Sequence, residues 1–264
     1  MGRELVRFHQ LARTLREQCP WDQEQTHQSL VRYLLEETYE VVDALQALDP
    51  DDPSTDEALA EELGDLLYQI EFHATIAEQE GRFTMADVAQ GVHDKLVRRH
   101  PHVFGPGGGD KVVANDTAAV LANWDTIKQL EKGRTSVFEG VPHSLPALSY
   151  ADAVQRQAAK VGFDWRDVDG AWPKVDEEAA EVRAAVAAGE AGAVHDELGD
   201  LLFAVVNVAR HLGVEPESAL RAATLKFRGR FENVERLARE RSIDLKTAGL
   251  PTLDALWDEV KKRG

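Results

Sequence analysis

Apolar residues recur every three to four positions along most of the chain, and the strict alternation of a half-buried strand is scarce. The spacing predicts helices over residues 3–18, 26–48, 55–80, 85–99 and 116–131. A second series follows over 147–160, 171–188, 191–213, 216–240 and 252–262. Ser54 or Thr55, Thr84 and Asp116 offer cap oxygens at helix starts, and Gly81 and Gly213 mark stops. Residues 133–146 contain Gly140, Pro142 and Pro146 without helical periodicity and read as a linker. The run Gly105-Pro106-Gly107-Gly108-Gly109 reads as a loop. The expected fold is all-α.

The two series are related. Glu62-Leu63-Gly64-Asp65-Leu66-Leu67 returns letter for letter as Glu197-Leu198-Gly199-Asp200-Leu201-Leu202. Upstream, Glu36-Glu37-Thr38-Tyr39-Glu40 is echoed by Glu177-Glu178-Ala179-Ala180-Glu181. Downstream, Lys95 and Arg99 match Lys226 and Arg230, and Trp124-Asp125-x-x-Lys128 matches Trp257-Asp258-x-x-Lys261. Four matches in one order at nearly constant offset indicate an internal duplication. It divides the chain into a helical module at 1–132, a linker at 133–146 and a second helical module at 147–264.

Each module carries Glu-Glu-x-x-Glu, a gap, and then Glu-x-x-Asp. Helical residues turn about 100° per step, so acids three apart share a face. On the helix holding Leu34, the residues Val41, Val42, Leu45 and Leu48 fall on one stripe, expected to be buried. Glu37 and Glu40 border it, while Glu36 points away. Leu63, Leu66, Leu67 and Ile70 form the next apolar face, bordered by Glu62 and Asp65. If the two helices pack as neighbours, Glu37, Glu40, Glu62 and Asp65 converge. Their counterparts are Glu178, Glu181, Glu197 and Asp200, with Glu177 outward. Acid pairs on exposed helices are common without function. A duplicated set of four at an apolar border is not, because such a set repels itself unless a cation compensates. Oxygen-only ligands suit magnesium, with manganese as an alternative. Gly64 and Gly199 fit a close helix approach beside the acids, or common descent alone.

Composition narrows the reading. The 264 residues are 43% hydrophobic, enough for real cores, and the formal net charge of −17 disfavours a nucleic-acid partner. Phosphorylated small molecules remain compatible, provided metal stands between acid and phosphate. Cys19 is the single cysteine, so no disulfide forms within the chain. The charged start of the chain does not resemble a signal peptide, and the apolar stretch 201–209 is too short to span a bilayer. A cytoplasmic protein without membrane partners is expected.

The motifs together resemble the MazG family of all-α nucleoside triphosphate pyrophosphohydrolases. The resemblance extends to Cys19-Pro20-Trp21-Asp22, Arg98-Arg99-His100-Pro101-His102-Val103-Phe104 and Val161-Gly162-Phe163-Asp164-Trp165. It implies a helical bundle that forms a homodimer and cleaves nucleoside triphosphates to monophosphate and pyrophosphate, with broad base specificity. By the same resemblance, Glu178, Glu181, Glu197 and Asp200 are the catalytic, magnesium-holding acids, and Lys174, Lys226, Arg230, Trp257 and Lys261 contact the nucleotide. Glu37, Glu40, Glu62 and Asp65 would form a second metal site. Tyr33 stands where the second module has Lys174, which favours the second module as the main catalytic half.

Other classes fit less well. A di-iron bundle needs Glu-x-x-His on two helices, which the chain does not supply. Gly105 to Lys111 fails as a phosphate loop, because Asp110 precedes Lys111 and Val112 replaces the required Ser or Thr. The remaining alternative is a non-catalytic regulatory module that binds nucleotides or a protein.

Overall fold

The computed structural model describes residues 2–105, 116, 117, 119, 120, 124, 127 and 136–263. Among these residues there is no strand, and the all-α expectation holds. The chain forms two compact units, Met1–Gly133 and Arg134–Gly264.

The first unit contains α1 (Gly2–Gln18), α2 (Pro20–Glu24), α3 (Val31–Gln46), α4 (Pro53–Gln79), α5 (Met85–Arg99) and α6 (Pro101–Phe104). Helices α3 and α4 pack along each other, and α1 lies against α4. Leu30, Phe72 and Ile76 form the core there, with Tyr33 and Tyr68 packed onto it. Burying a side chain the size of Phe72 contributes about 1.5–3 kcal/mol. A polar layer joins α1 and α2 to α4: His9 Nδ1 lies 2.5 Å from Glu71 Oε1, and the Tyr68 hydroxyl donates to Asp22 Oδ1 at 3.0 Å. Burial and the Asp22 carboxylate push the Tyr68 phenol well above its ordinary value.

The second unit contains α7 (Ala147–Lys160), α8 (Val168–Ala188), α9 (Ala191–His211), α10 (Pro216–Glu240) and α11 (Gly249–Arg263). Helices α8 and α9 form a hairpin, and α7 packs on α9 and α10. The α10–α11 hairpin closes over Val234, Leu237, Ala238, Leu256 and Val260, with Trp257 at its edge.

The stops at Gly81 and Gly213 follow one mechanism. Both glycines have positive φ (66° and 70°), and the next residue's N–H reaches back over the helix end. Arg82 N donates to Ala77 O and Val214 N to Ala209 O, each at 2.9 Å. Gly189 (φ 74°) ends α8 in the same way, at the boundary expected after residue 188. Thr84 caps α5 in a reciprocal box with Asp87. Asp116 Oδ1 accepts from Ala119 N at 2.8 Å.

Several expectations need correction. Helix α4 is capped by Asp52, with Pro53 in its first turn, rather than by Ser54 or Thr55; the Pro ring presets φ and needs no N–H there. Helix α3 begins at Val31, not 26, because the Thr26 and Ser29 side chains bond local backbone and hold a turn. The short helices α2 and α6, each opened by a Pro, were not anticipated. Leu45, Leu48, Leu63 and Ile70 are exposed rather than buried, so the apolar stripes of α3 and α4 are not fully covered within the unit. A Cβ added at Gly64 or Gly199 would meet nothing within 4 Å, so no close helix approach within either unit explains these glycines. The loop at 106–109, most of the 116–131 helix, Asp125, Lys128 and residues 133–135 lie outside the described residues.

Candidate active site

Helix α8 begins where Asp167 caps Gly170 N at 3.3 Å. It runs through Pro173, close enough to its start that little of the ladder is lost. One turn on, Lys174 sits where helical spacing brings it to two acids. Its Nζ lies 2.9 Å from Glu177 Oε1 and 2.5 Å from Glu178 Oε1. Glu178 is 4% exposed, and its other oxygen, Oε2, is buried with no hydrogen-bond partner.

The α8–α9 hairpin brings the next pair alongside. Carboxylate oxygens of Glu178, Glu197 and Asp200 lie within 4.8 Å of one another, and so do those of Glu177, Glu178 and Glu181. Glu178 is common to both groups and links the four predicted acids. Glu177 belongs beside them, through the shared lysine, although it is exposed as expected.

The titration of Glu178 and of Glu181 reflects their neighbours. Hydrogen bonding from Lys174 holds Glu178 below the ordinary carboxylate range, against the opposing effect of burial. Glu181 is raised, first by its hydrogen bond with Glu178, then by burial and the charges of Glu178 and Glu197. Lys174 is itself raised by Glu178 and then Glu177.

In the first unit Glu37, Glu40 and Glu62 come together within 4.8 Å. Asp65 stands just outside that group but acts on Glu37 and Glu62 through its charge. Tyr33, in the place of Lys174, turns its ring to the edge of Trp21 at 5.6 Å. Arg32 donates to its hydroxyl, the guanidinium lying 4.4 Å from the ring centre. Among the described residues no cation pairs with Glu37, and burial followed by the hydrogen bond with Glu40 raises it. Burial and the charge of Glu40 likewise raise Glu62.

A pH dependence follows. Carboxylates raised on folding favour the fold at low pH, and that contribution is lost as pH rises through their folded values. The metal-free first unit is therefore expected to melt lower at neutral pH than in mild acid. Added magnesium should restore more at neutral pH than in acid. Differential scanning calorimetry with and without magnesium checks both; equal magnesium shifts at both pH values would refute the expectation.

The basic residues stand on the other hairpin. Lys226 and Arg230, one turn apart on α10, line a groove of about 530 Å³ with Asn233, Arg236 and Val260. Neither has a carboxylate partner among the described residues. Lys261 faces Asp258 at 3.8 Å. Trp257 is half-buried at the α10–α11 core, its ring 5.1 Å from that of Phe227. In the first unit Arg99 is buried, its guanidinium 5.9 Å from the Trp124 ring.

A family model described as the MazG nucleotide pyrophosphohydrolase domain matches residues 25–104 and 169–235. The chain belongs to the MazG family. The two matched stretches contain both acid sets, Lys174, Lys95 with Arg99, and Lys226 with Arg230, so the MazG domain occurs twice. Trp257 and Lys261 fall beyond the second stretch.

Curated relatives agree. A nucleoside triphosphate pyrophosphohydrolase of Escherichia coli (strain K12) is 43% identical over 252 residues, covering 93% of this chain and 91% of its own. A nucleoside triphosphate pyrophosphohydrolase/pyrophosphatase MazG of Thermotoga maritima is 42% identical over 247 residues, covering 93% and 90%. A nucleoside triphosphate pyrophosphohydrolase of Mycobacterium tuberculosis is 43% identical over 164 residues, 61% of this chain and 47% of its own.

Proposed function

We propose that this MazG protein hydrolyses nucleoside triphosphates to monophosphate and pyrophosphate in a magnesium-dependent reaction centred on the second unit. The observation that carries the metal dependence is the orphaned Glu178 Oε2, buried without a donor among carboxylates that lie within 4.8 Å. A buried carboxylate oxygen with no protein donor is satisfied by a cation or an ordered water, and the neighbouring acids favour the cation. Glu178, Glu181, Glu197 and Asp200 would hold magnesium, and manganese fits the same oxygen set. When bound, the metal neutralises phosphate charge and acidifies water for in-line attack.

The chain's own residues supply the remainder. Lys174 holds Glu178 ionised and in place, and its ammonium is partly exposed towards an incoming phosphate. Lys226 and Arg230, with no carboxylate partner among the described residues, offer charge to departing pyrophosphate. Lys261 adds a third cation on the neighbouring helix. Incubation with each nucleoside triphosphate and magnesium should release pyrophosphate and monophosphate. Diphosphate with orthophosphate would sink the reading, and magnesium-independent turnover would sink the metal assignment. Absence of any turnover would favour a regulatory nucleotide-binding module.

The chain is also proposed to act as a homodimer. Leu198, Leu202, Val205 and Leu212 form one exposed stripe on α9, 47–57% exposed, on the opposite face from Asp200. Such a continuous apolar stripe is costly in water and calls for a cover. Sedimentation should give twice the 29.2 kDa chain mass at low micromolar concentration. A single species at the chain mass would overturn the dimer.

A further inference from the structure

In the first unit, the end of α4 carries a group of side chains that the acid sites do not use. His73 lies on α4, His27 in the turn that precedes α3, and Arg82 directly after the Gly81 stop. His27 Nδ1 stands 2.7 Å from His73 Nδ1, with the two rings parallel and their centres 5.0 Å apart. On its other side His27 Nε2 meets the Arg82 guanidinium. His73 Nε2 is buried and has no partner among the described residues.

These contacts fix where the protons sit. A guanidinium only donates, so the His27 Nε2 that meets Arg82 carries no proton. Neutral His27 therefore has its proton on Nδ1 and donates it to His73 Nδ1. His73, accepting there, holds its own proton on the buried Nε2. The relay runs one way, from Arg82 through His27 to His73, and it needs both imidazoles neutral. A further proton on His27 Nε2 would face the Arg82 donor and set two cations together. A further proton on His73 Nδ1 would face the His27 donor. Either one breaks a hydrogen bond of the relay.

The acids nearby are engaged elsewhere. Among the described residues no carboxylate bonds either ring. On α4 and just after it, Glu80 Oε2 accepts from Arg82 Nε at 2.6 Å, and Glu71 meets His9 of α1. Also from α1, Arg13 lies 3.5 Å from Glu78, while Arg16 bonds Gln79 and the carbonyls of Asp22 and Gln25. On α2 the Asp22 carboxylate accepts from Tyr68. Arg32 of α3 is committed to Tyr33, and Asp87 of α5 to Thr84. Burial, and then the charge of His27, holds His73 below the ordinary histidine value. Stability from the neutral pair is thus complete above that ordinary value, and it is lost as pH falls through the lower folded one.

The segment held by this relay leads to the first acid set. The turn is closed by Ser29 N on Thr26 Oγ1 and Leu30 N on Thr26 O, each at 3.1 Å, and it feeds α3, which carries Tyr33, Glu37 and Glu40. The second unit has no such pair: the repeated Glu-Leu-Gly-Asp register sets Val208, 5% exposed, opposite His73. We propose that Arg82, His27 and His73 form a proton-operated latch, which ties the turn before α3 to the end of α4 at neutral pH and releases it in acid. Its sign opposes that of Glu37 and Glu62, whose raised carboxyls favour the fold in acid. Local exchange at the turn therefore reads the latch, and the melting temperature of the unit does not.

The test uses the full chain with nitrogen-labelled histidine rings. Near neutral pH the ring spectra should show His27 protonated on Nδ1, His73 on Nε2, and a nitrogen–nitrogen coupling across the hydrogen bond between them. That measurement needs no variant. Hydrogen exchange is then followed by mass spectrometry on peptides covering 26–31, each rate divided by the intrinsic rate at the same pH. Wild-type protection should fall roughly tenfold or more between about pH 7.5 and about pH 5. His73→Asn keeps an acceptor in the place of Nδ1 but cannot titrate there, so protection should stay flat although the acids remain. Arg82→Gln keeps an N–H donor without the charge, so the fall should move to higher pH. The proposal is overturned if the ring protons sit on the other nitrogens or the coupling is absent, or if wild-type protection does not fall. It is overturned equally if Arg82→Gln leaves the fall in place, or if His73→Asn loses protection as wild type does, which would assign the fall to the acids.

Discussion

Glu181→Ala combined with Asp200→Ala removes nearly all pyrophosphate release, by roughly a hundred- to a thousand-fold or more, whereas Glu40→Ala with Asp65→Ala leaves most of it. The asymmetry is electrostatic. In the second unit Lys174 compensates the buried Glu178. In the first unit Glu37 is raised by its neighbours, and Tyr33 is committed to Trp21 and Arg32. Initial rates at saturating magnesium across the nucleoside triphosphates check the pair. If the first-unit variant proves the more damaging, that unit is the enzyme and the reading of Tyr33 fails.

Lys174→Ala is expected to lower kcat/KM roughly ten- to a hundred-fold, the scale of a lost charge-assisted contact. It also carries a signature that simple damage would not. Glu178 is held low chiefly by Lys174, so its ionised form favours the fold at neutral pH, and that contribution is lost as pH falls through its folded value. Without the ammonium, the loss begins at higher pH. The acidic limb of the pH–rate profile should therefore move upward, and the metal-free melting temperature should start to fall at a higher pH. Lys174→Arg, which keeps the charge but alters its geometry, should recover the limb more than the rate. An acidic limb unmoved by Lys174→Ala would show that the pairing with Glu178 has no part in function.

Much of this is legible in the sequence. Helices α5, α7 and α10 run where apolar spacing and the Thr84 cap placed them, because the cap and the apolar periodicity act locally. The acids were legible through repetition: one Glu-x-x-Glu is ordinary, but two sets in the same order indicate a shared requirement. Local side-chain competition was harder to read. Thr26 and Ser29 bind nearby backbone and delay α3, and Asp52 with Pro53 outcompetes Ser54 as the start of α4.

The histidine relay was not legible in the same way. His27, His73 and Arg82 carry no motif; they matter because the turn before α3 meets the end of α4. The available signal was the comparison of copies, in which His73 gives way to Val208. Buried polar atoms need partners, so a histidine in one copy against a buried valine in the other marks a polar contact to be found.

The sequence by itself determined the helical class, the duplication, the family and the identity of both acid sets, since each follows from residue type and short-range spacing along one helix. Only the tertiary structure decided that Glu178 is buried with an unpaired oxygen, that Lys174 bridges it to Glu177, and that Glu37 has no such partner among the described residues. It also decided that the stripe of Leu198, Leu202, Val205 and Leu212 stays exposed and that His27 meets His73. Burial and pairing depend on what a second helix brings into contact, and helical periodicity specifies which residues share a face but not what that face meets.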